Sequence, residues 1–328
     1  MPRPTRRATL LLALAAPLAT PALAQPRGTA RIIVGFPPGG SADATARLMA
    51  ERLRGGYAQN VIVDNRVGAA GRLAVEAVKA AEPDGNTILL TAASMLVIFP
   101  HLYSRTTLRY DPFNDLLPVT PAGEFPFGMG VGPQAGSVGT LRDFIAWGRG
   151  RQEIPYGSAA AGSMLHFLGV QLAKATGLSM THIPYRGSAP AIQDLIGGRT
   201  ACSFHPMVDL AAHAANPGGP VRLAAVSSEQ RLARFPEVPT FAEQGYPQLT
   251  GTEWFGLFLP ARTPAPMLEA LHRAATEAAT HPEYREAIAR LEMRPYPLSS
   301  AEFARRLKAD YDKWGPIIAE SGFRPEEG

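Results

Sequence analysis

The sequence predicts an α/β protein of two lobes, each a doubly wound, mostly parallel sheet flanked by helices, with a ligand cleft between them. Three observations carry this. Short β-branched runs such as Ile32-Ile33-Val34 and Val61-Ile62-Val63 alternate with helical periodicity, the pattern of parallel strands joined by crossover helices. The joints are rich in glycine and proline, 32 and 31 residues in all, and fall where strand hands over to helix. The same strand–loop–helix order then recurs beyond a proline-punctuated stretch from Tyr110 to Pro118.

A chain of 328 residues accommodates two domains of ordinary size. Met1 to Ala24 reads as an export signal: basic Arg3, Arg6 and Arg7, an apolar run from Leu10 to Leu18, and Ala22-Leu23-Ala24 as an A-x-A cleavage site. Thr5-Arg6-Arg7 suits a twin-arginine route, but Thr9 replaces that route's aromatic, so both export routes fit. The formal charge of +4 falls to about +1 without this segment, too small an excess to argue for nucleic acid or an anionic membrane. The single cysteine, Cys202, excludes an internal disulfide and sits in an apolar strand as a structural thiol.

In the first lobe, Ile32-Ile33-Val34 leads into Phe36-Pro37-Pro38-Gly39-Gly40-Ser41. Two prolines fix the backbone, two glycines free it, and Ser41 suits a helix N-cap before the apolar face Ala46, Met49, Ala50 and Leu53. A helix start of this kind offers unpaired N–H groups and favours an anion. The loop matches neither a P-loop nor a GxGxxG fingerprint, and a plain strand–helix turn fits it as well. Val61 to Val63, the glycine loop Arg66 to Gly71, a helix with Ala74, Ala77, Val78 and Ala81, and a strand from Thr87 to Thr91 follow. Three loops are therefore expected to converge at the carboxyl ends of the strands: Phe36 to Ser41, Arg66 to Gly71 and Thr91 to Ser94.

In the second lobe, Thr140 caps a helix, Ile154 to Gly157 is a strand, and Ser163 caps the helix from Met164 to Ala175. Thr181 to Tyr185 and Thr200 to Phe204 are further strands, and Ser188 caps the helix from Ala189 to Ile196. Trp254 to Pro260 is an aromatic-rich strand. Helices from Pro264, from Pro282 and from the capping box Ser299-x-x-Glu302 complete the chain and pack back on the first lobe. The expected division is a signal at residues 1–24, a first lobe of 25–125 with 252–328, and a second of 126–251.

Catalytic constellations are sparse. Ser163 and His166 stand three apart on one helix without an acid partner or a GxSxG elbow. The seven histidines include no HExxH and no close pair, and with one cysteine no metal site and no cofactor are expected. Asp43 suits either the helix dipole or a ligand ammonium, and Arg186 could meet an anion or solvent. What remains is a pocket of helix starts at Ser41, Gly71, Ser163 and Ser188. A micromolar ligand needs about −8 kcal/mol, a hydrogen bond to a charged group supplies roughly 1.5–3, and association costs at least about 4. One loop falls short; loops closing from both lobes suffice.

Phe36-Pro-Pro-Gly-Gly-Ser-Ala-Asp43, Val63-Asp-Asn-Arg66, Glu82-Pro-Asp-Gly85, Tyr110-Asp-Pro112, Tyr156-Gly-Ser158, Thr181 to Ala191, Val238-Pro-Thr240 with Gln244-Gly-Tyr246, and Trp254-Phe-Gly256 together resemble the Bug family, periplasmic receptors of the tripartite tricarboxylate transporter type. The resemblance runs from about Ala30 to Glu320. It implies a type II-like periplasmic binding-protein fold, no catalysis, a small carboxylate as ligand, and a monomer that meets membrane transporter subunits or a membrane sensor. By position, it implies ligand contacts from Phe36, Pro37, Pro38, Gly39, Gly40, Ser41 and Asp43; from Thr91, Ala92, Ala93 and Ser94; from Ser158, Ala159, Gly162, Ser163 and His166; and from Arg186, Gly187 and Ser188. His205, a further candidate ligand contact, stands with Pro206 where the family often has Asp followed by Asn. Fewer hydroxyls between Gly157 and His166, and Ala92, Ala93 and Met95 in place of small polar residues, point to a ligand with one carboxylate and an apolar or aromatic body. The lost Asp argues against an amino-acid ammonium. A sensor subunit and, more distantly, a hydrolase using Ser158 or Ser163 with His166 are the competing readings.

Overall fold

The computed structural model describes residues 28–214 and 219–325. The export-signal reading of Met1 to Ala24 lies outside the described residues. In chain order the first part comprises β1 (Thr29–Val34), α1 (Ser41–Leu53), β2 (Asn60–Asn65), α2 (Arg72–Lys79), β3 (Thr87–Ala92), α3 (Ser94–Val97), α4 (Phe99–Leu102), α5 (Arg105–Leu108) and β4 (Leu116–Val131). Then follow α6 (Leu141–Gly148), β5 (Ile154–Ser158), α7 (Met164–Thr176), β6 (Met180–Pro184), α8 (Ser188–Ile196), β7 (Cys202–Pro206), α9 (Met207–Ala214) and β8 (Arg222–Val226). The last part is β9 (Thr252–Pro260), α10 (Ala265–Thr280), α11 (Pro282–Arg290) and α12 (Ser300–Ser321).

The strands run in the order β2-β1-β3-β9-β4-β7-β5-β6, with β8 also on β4. Two parallel triplets, β2-β1-β3 and β7-β5-β6, are the doubly wound sheets that the alternating pattern predicts. Between them stand β9 and β4, antiparallel to each other and to their neighbours. Both triplets bury one or more strands on two faces: Ile32, Val34, Leu89 and Leu90 on one side, Tyr156, Cys202 and Phe204 on the other, are all essentially inaccessible.

β4 differs from the sequence expectation. Tyr110 to Pro118 reads as a connecting loop that leads into a strand near Val119, with Phe127 to Val131 as another apolar run, yet Leu116 to Val131 is one continuous strand. The register on β9 shifts between Pro118 and Thr120 and again between Pro121 and Gly123. Bulges take up residues that cannot donate to the ladder. β4 pairs with β9 as far as Pro126↔Thr252 and with β7 from Phe127↔Pro206 onward.

The C-terminal helices return to the first part, α10 against α1 and α12 against α3. α12 opens with the expected capping box, Ser299 accepting the Glu302 N–H and Glu302 accepting the Ser299 N–H. Thr140 and Ser163 cap α6 and α7 as expected. Ser41 and Ser188 do not cap: each is the first helical residue, and Gly40 and Gly187 occupy the cap positions. Their hydroxyls are therefore free for other partners. The helix α9 was not expected, because His205-Pro206 reads as a stop.

Candidate functional site

A cavity of about 490 Å³ lies where the carboxyl ends of β1 and β3 face those of β5, β6 and β7. The Phe36 to Ser41 loop forms one wall, joined by Ala92 and Ser94; Ala159, Ser163, Arg186, Gly187 and Ser188 come from the opposite side. Of the three loops expected to converge from the first lobe, two thus reach the cavity, Phe36 to Ser41 in full and Thr91 to Ser94 through Ala92 and Ser94, while Arg66 to Gly71 does not. Gly187 faces the other wall: its φ is +104°, and an added Cβ there would stand 3.4 Å from Pro37 Cδ.

Asp43 does not border the cavity. Its carboxylate turns back to accept the Gly39 N–H at 3.0 Å, Arg47 Nε at 2.9 Å and Asn65 Nδ2 at 3.0 Å. Asn65 also donates to the Phe36 carbonyl at 3.0 Å. Burial raises the Asp43 pKa, but the hydrogen bonds from Arg47, Gly39 and Asn65 outweigh it and hold the carboxyl below its ordinary value. Asp43 braces the double-proline loop instead of meeting a ligand ammonium.

The Arg66 to Gly71 loop stands behind the wall, not in it. A Cβ on Gly35 would lie 2.7 Å from Gly71 Cα, so the two backbones approach only because Gly35 has no side chain. Thr91 is held in the β3–β9 ladder opposite Gly256, and the Ala93 N–H donates to the Trp254 carbonyl at 3.0 Å. Neither reaches the cavity.

Ser158, Gly162 and His166, the last in the first turn of α7, are buried and do not border the cavity. Ser158 Oγ donates to the Ala160 carbonyl and pairs with His182 Nε2 at 2.8 Å. The Gly162 N–H donates to His166 Nδ1 at 3.1 Å, and the His166 and His182 rings stack with centroids 4.0 Å apart. Burial pushes His166 down to about 4; burial, then the neighbouring His166, pushes His182 down to about 3. Ser163 Oγ accepts the His166 backbone N–H at 3.4 Å and donates to the Ala160 carbonyl at 2.8 Å. The spacing of Ser163 and His166 is a helix cap, not a nucleophile and its base. His205 lies inside β7, paired with Ser203 Oγ at 2.6 Å, and burial lowers its pKa to about 3.

Two acids that sequence reasoning passed over line the cavity. Glu253 on β9 accepts both the Ser94 N–H, at 2.8 Å, and the Ser94 hydroxyl, at 2.6 Å, on Oε1. Ser94 Oγ in turn accepts the Met164 N–H of α7 at 3.0 Å, which links the two halves. Burial drives Glu253 up to about 7, against the two Ser94 bonds that lower it. Asp209 on α9 faces Ser188 and the Ser41 N–H and hydroxyl, the groups freed by the glycine caps. Burial drives it up to about 6, and Oδ2 is buried without a partner. The argument that the cavity lost its acid at His205-Pro206 is therefore corrected: Asp209 supplies one from the next helix. The available signals were a lone Glu in the apolar strand Thr252 to Pro260 and a lone Asp in the apolar helix after Pro206. Met95, Phe125, Leu165, Ile192 and Phe255 make the remaining wall apolar. No helix among the described residues is long and apolar enough to cross a membrane.

The chain matches the family model of the tripartite tricarboxylate transporter receptors over residues 45–323. It is 32% identical to protein BugT of Bordetella pertussis over 293 residues, 89% of each chain. Among solved structures, R. palustris Rpa4515 with adipate superposes with a TM-score of 0.85 at 27% identity, covering 91% of this chain and 98% of that one. The periplasmic binding protein BugD gives 0.82 at 25% identity, covering 91% and 98%. Continuous similarity across both parallel triplets and their antiparallel link makes this chain a member of the Bug family, the periplasmic solute-binding receptors of tripartite tricarboxylate transporters, and a receptor rather than an enzyme.

Proposed function

We propose that the protein captures a small carboxylate in the cavity between its lobes and delivers it to membrane transporter subunits, acting as a monomer. The observation that carries this reading is the meeting of two glycine-capped helix starts, at Ser41 and Ser188, on one cavity with apolar walls. The main-chain N–H groups of these two starts that do not face Asp209 suit a carboxylate headgroup, and Met95, Phe125, Leu165 and Phe255 suit an apolar or aromatic body. Adipate, a dicarboxylate bound by the R. palustris protein, supports a small carboxylate with a flexible methylene chain; the preference for a single carboxylate rests on the apolar walls. The change of partner along β4 at Pro126 and Phe127 supports lobe boundaries near 125/126 and 251/252.

A thermal-shift screen of carboxylic acids, followed by calorimetric titration of the hits, tests the reading. Aliphatic or aromatic monocarboxylates should raise the melting temperature. Tight aspartate or citrate binding with no response to aromatic or branched acids would refute the ligand class. Met1 to Ala24 is read as the export signal, and the N-terminal sequence of protein recovered from the periplasm should begin near Gln25.

A further inference from the structure

We propose that Glu253 is a specificity-determining hydrogen-bond donor of this cavity, meeting the ligand carboxylate in its own protonated form, so that ligand and proton are taken up together. The inference rests on the carboxylate reading above.

The geometry separates the two oxygens of Glu253. Both Ser94 donors converge on Oε1, and Ser94 is itself fixed by the Met164 N–H from the other half. Oε2 takes no hydrogen bond from the described residues, and Glu253 borders the cavity. Among the described residues no Lys, Arg or His forms an ion pair with Glu253. The charge that acts on it from the packed helices is another acid, Asp310 of α12. Asp310 is already engaged by the Trp254 indole N–H at 2.9 Å and by Arg306 at 2.8 Å. Arg306 also reaches Glu124 of β4, which pairs with Arg294. On the cavity side the charged or titratable neighbours are Asp209, Arg186 and His213, of which Arg186 is exposed at the mouth.

A second carboxylate entering beside a buried one meets like charge in a poorly solvated space, and such pairs do not both stay ionised. A proton on Oε2 removes the repulsion and supplies a donor aimed at the ligand. Burial already brings Glu253 into the neutral range, so the proton is available from water near physiological pH. A ligand ammonium would relieve the same charge in another way, and the test separates the two.

Adipate, malate, benzoate and 4-aminobutyrate are titrated into the native protein by calorimetry at about pH 8, in two buffers of different ionisation enthalpy. At that pH these carboxylates are fully ionised, so any proton taken up binds the protein. The inference expects uptake approaching about one proton per ligand molecule bound, whether it carries one carboxylate or two, and an association constant falling about tenfold per pH unit between about pH 7.5 and 9. Glu253→Gln keeps Oε1 for Ser94 and places an N–H2 donor toward the cavity. It should bind with pH-independent affinity, and at about pH 8.5 at least roughly tenfold tighter than the native protein. Binding without proton uptake, or a pH slope that survives Glu253→Gln and disappears in Asp209→Asn, overturns the assignment. So does tight 4-aminobutyrate binding that Glu253→Gln abolishes. Silence from every acid overturns the carboxylate reading, and this inference with it.

Discussion

The Asp43 carboxylate accepts the Gly39 N–H at 3.0 Å and so ties the first turn of α1 to the loop that walls the cavity. Asp43→Ala should cut ligand affinity by about tenfold and destabilise the fold by roughly 1–3 kcal/mol, since it strands the Gly39 N–H and one Asn65 donor. Urea unfolding and titration of the same variant measure both. Because the folded pKa is depressed, this contribution is complete above the unfolded carboxyl value near about 4 and is lost as pH falls through the lower folded value. Unchanged affinity would mean that the loop holds its shape without the brace.

Gly187 is the point where the walls meet, at φ +104° and against Pro37. Gly187→Ala should strain the backbone by about 1–2 kcal/mol, the added Cβ meeting Pro37 only at ordinary contact distance. The expected result is a melting temperature lower by a few degrees together with weaker ligand binding, read from thermal shifts with and without ligand. A variant as stable and as tight as the native protein would show that the loops reach their bound positions differently.

The buried histidines make the fold acid-sensitive in a definite direction. His166 falls to about 4 and His182 and His205 to about 3 in the folded state, while an unfolded histidine titrates near about 6.5. The unfolded chain therefore binds more protons below about pH 6.5, so stability is full above it and declines as pH falls toward the folded values. His166 alone accounts for roughly 3 kcal/mol between about pH 6.5 and 4. Denaturant midpoints at several values across that range should fall steadily, and a level profile would contradict the burial of these rings as neutral species.

Ser163→Ala removes the cap of α7 and should cost about 1 kcal/mol. Its effect should appear in unfolding curves. Ester or amide turnover that this change abolishes would instead restore the hydrolase reading.

The sequence conveyed the parallel triplets because their strands are apolar runs with glycine joints, and those signals are local. It conveyed the loops at Phe36 to Ser41 and Arg186 to Ser188 for the same reason. Glu253 and Asp209 were not legible as site residues: each is a single acid in an apolar element, and only long-range packing turns it toward the cavity. His205 and Asp43 carried the opposite ambiguity, polar residues in suggestive places whose partners, Ser203 in one case and Arg47 with Asn65 in the other, are local and structural. Pro118 reads as the end of a loop instead of part of β4 because a bulge cannot be read from one strand without its partner.

β9 stands between β3 and β4 in space but follows β4 by more than a hundred residues in the chain. During synthesis β7 can complete its ladder with the far end of β4 as soon as it emerges. The triplet made first must wait, with the inner edges of β3 and β4 unpaired until Thr252–Pro260 arrives. Those edges are apolar templates for the wrong partner. A nascent chain arrested before Thr252 should therefore aggregate through its earliest-made sheet, while the later one resists proteolysis.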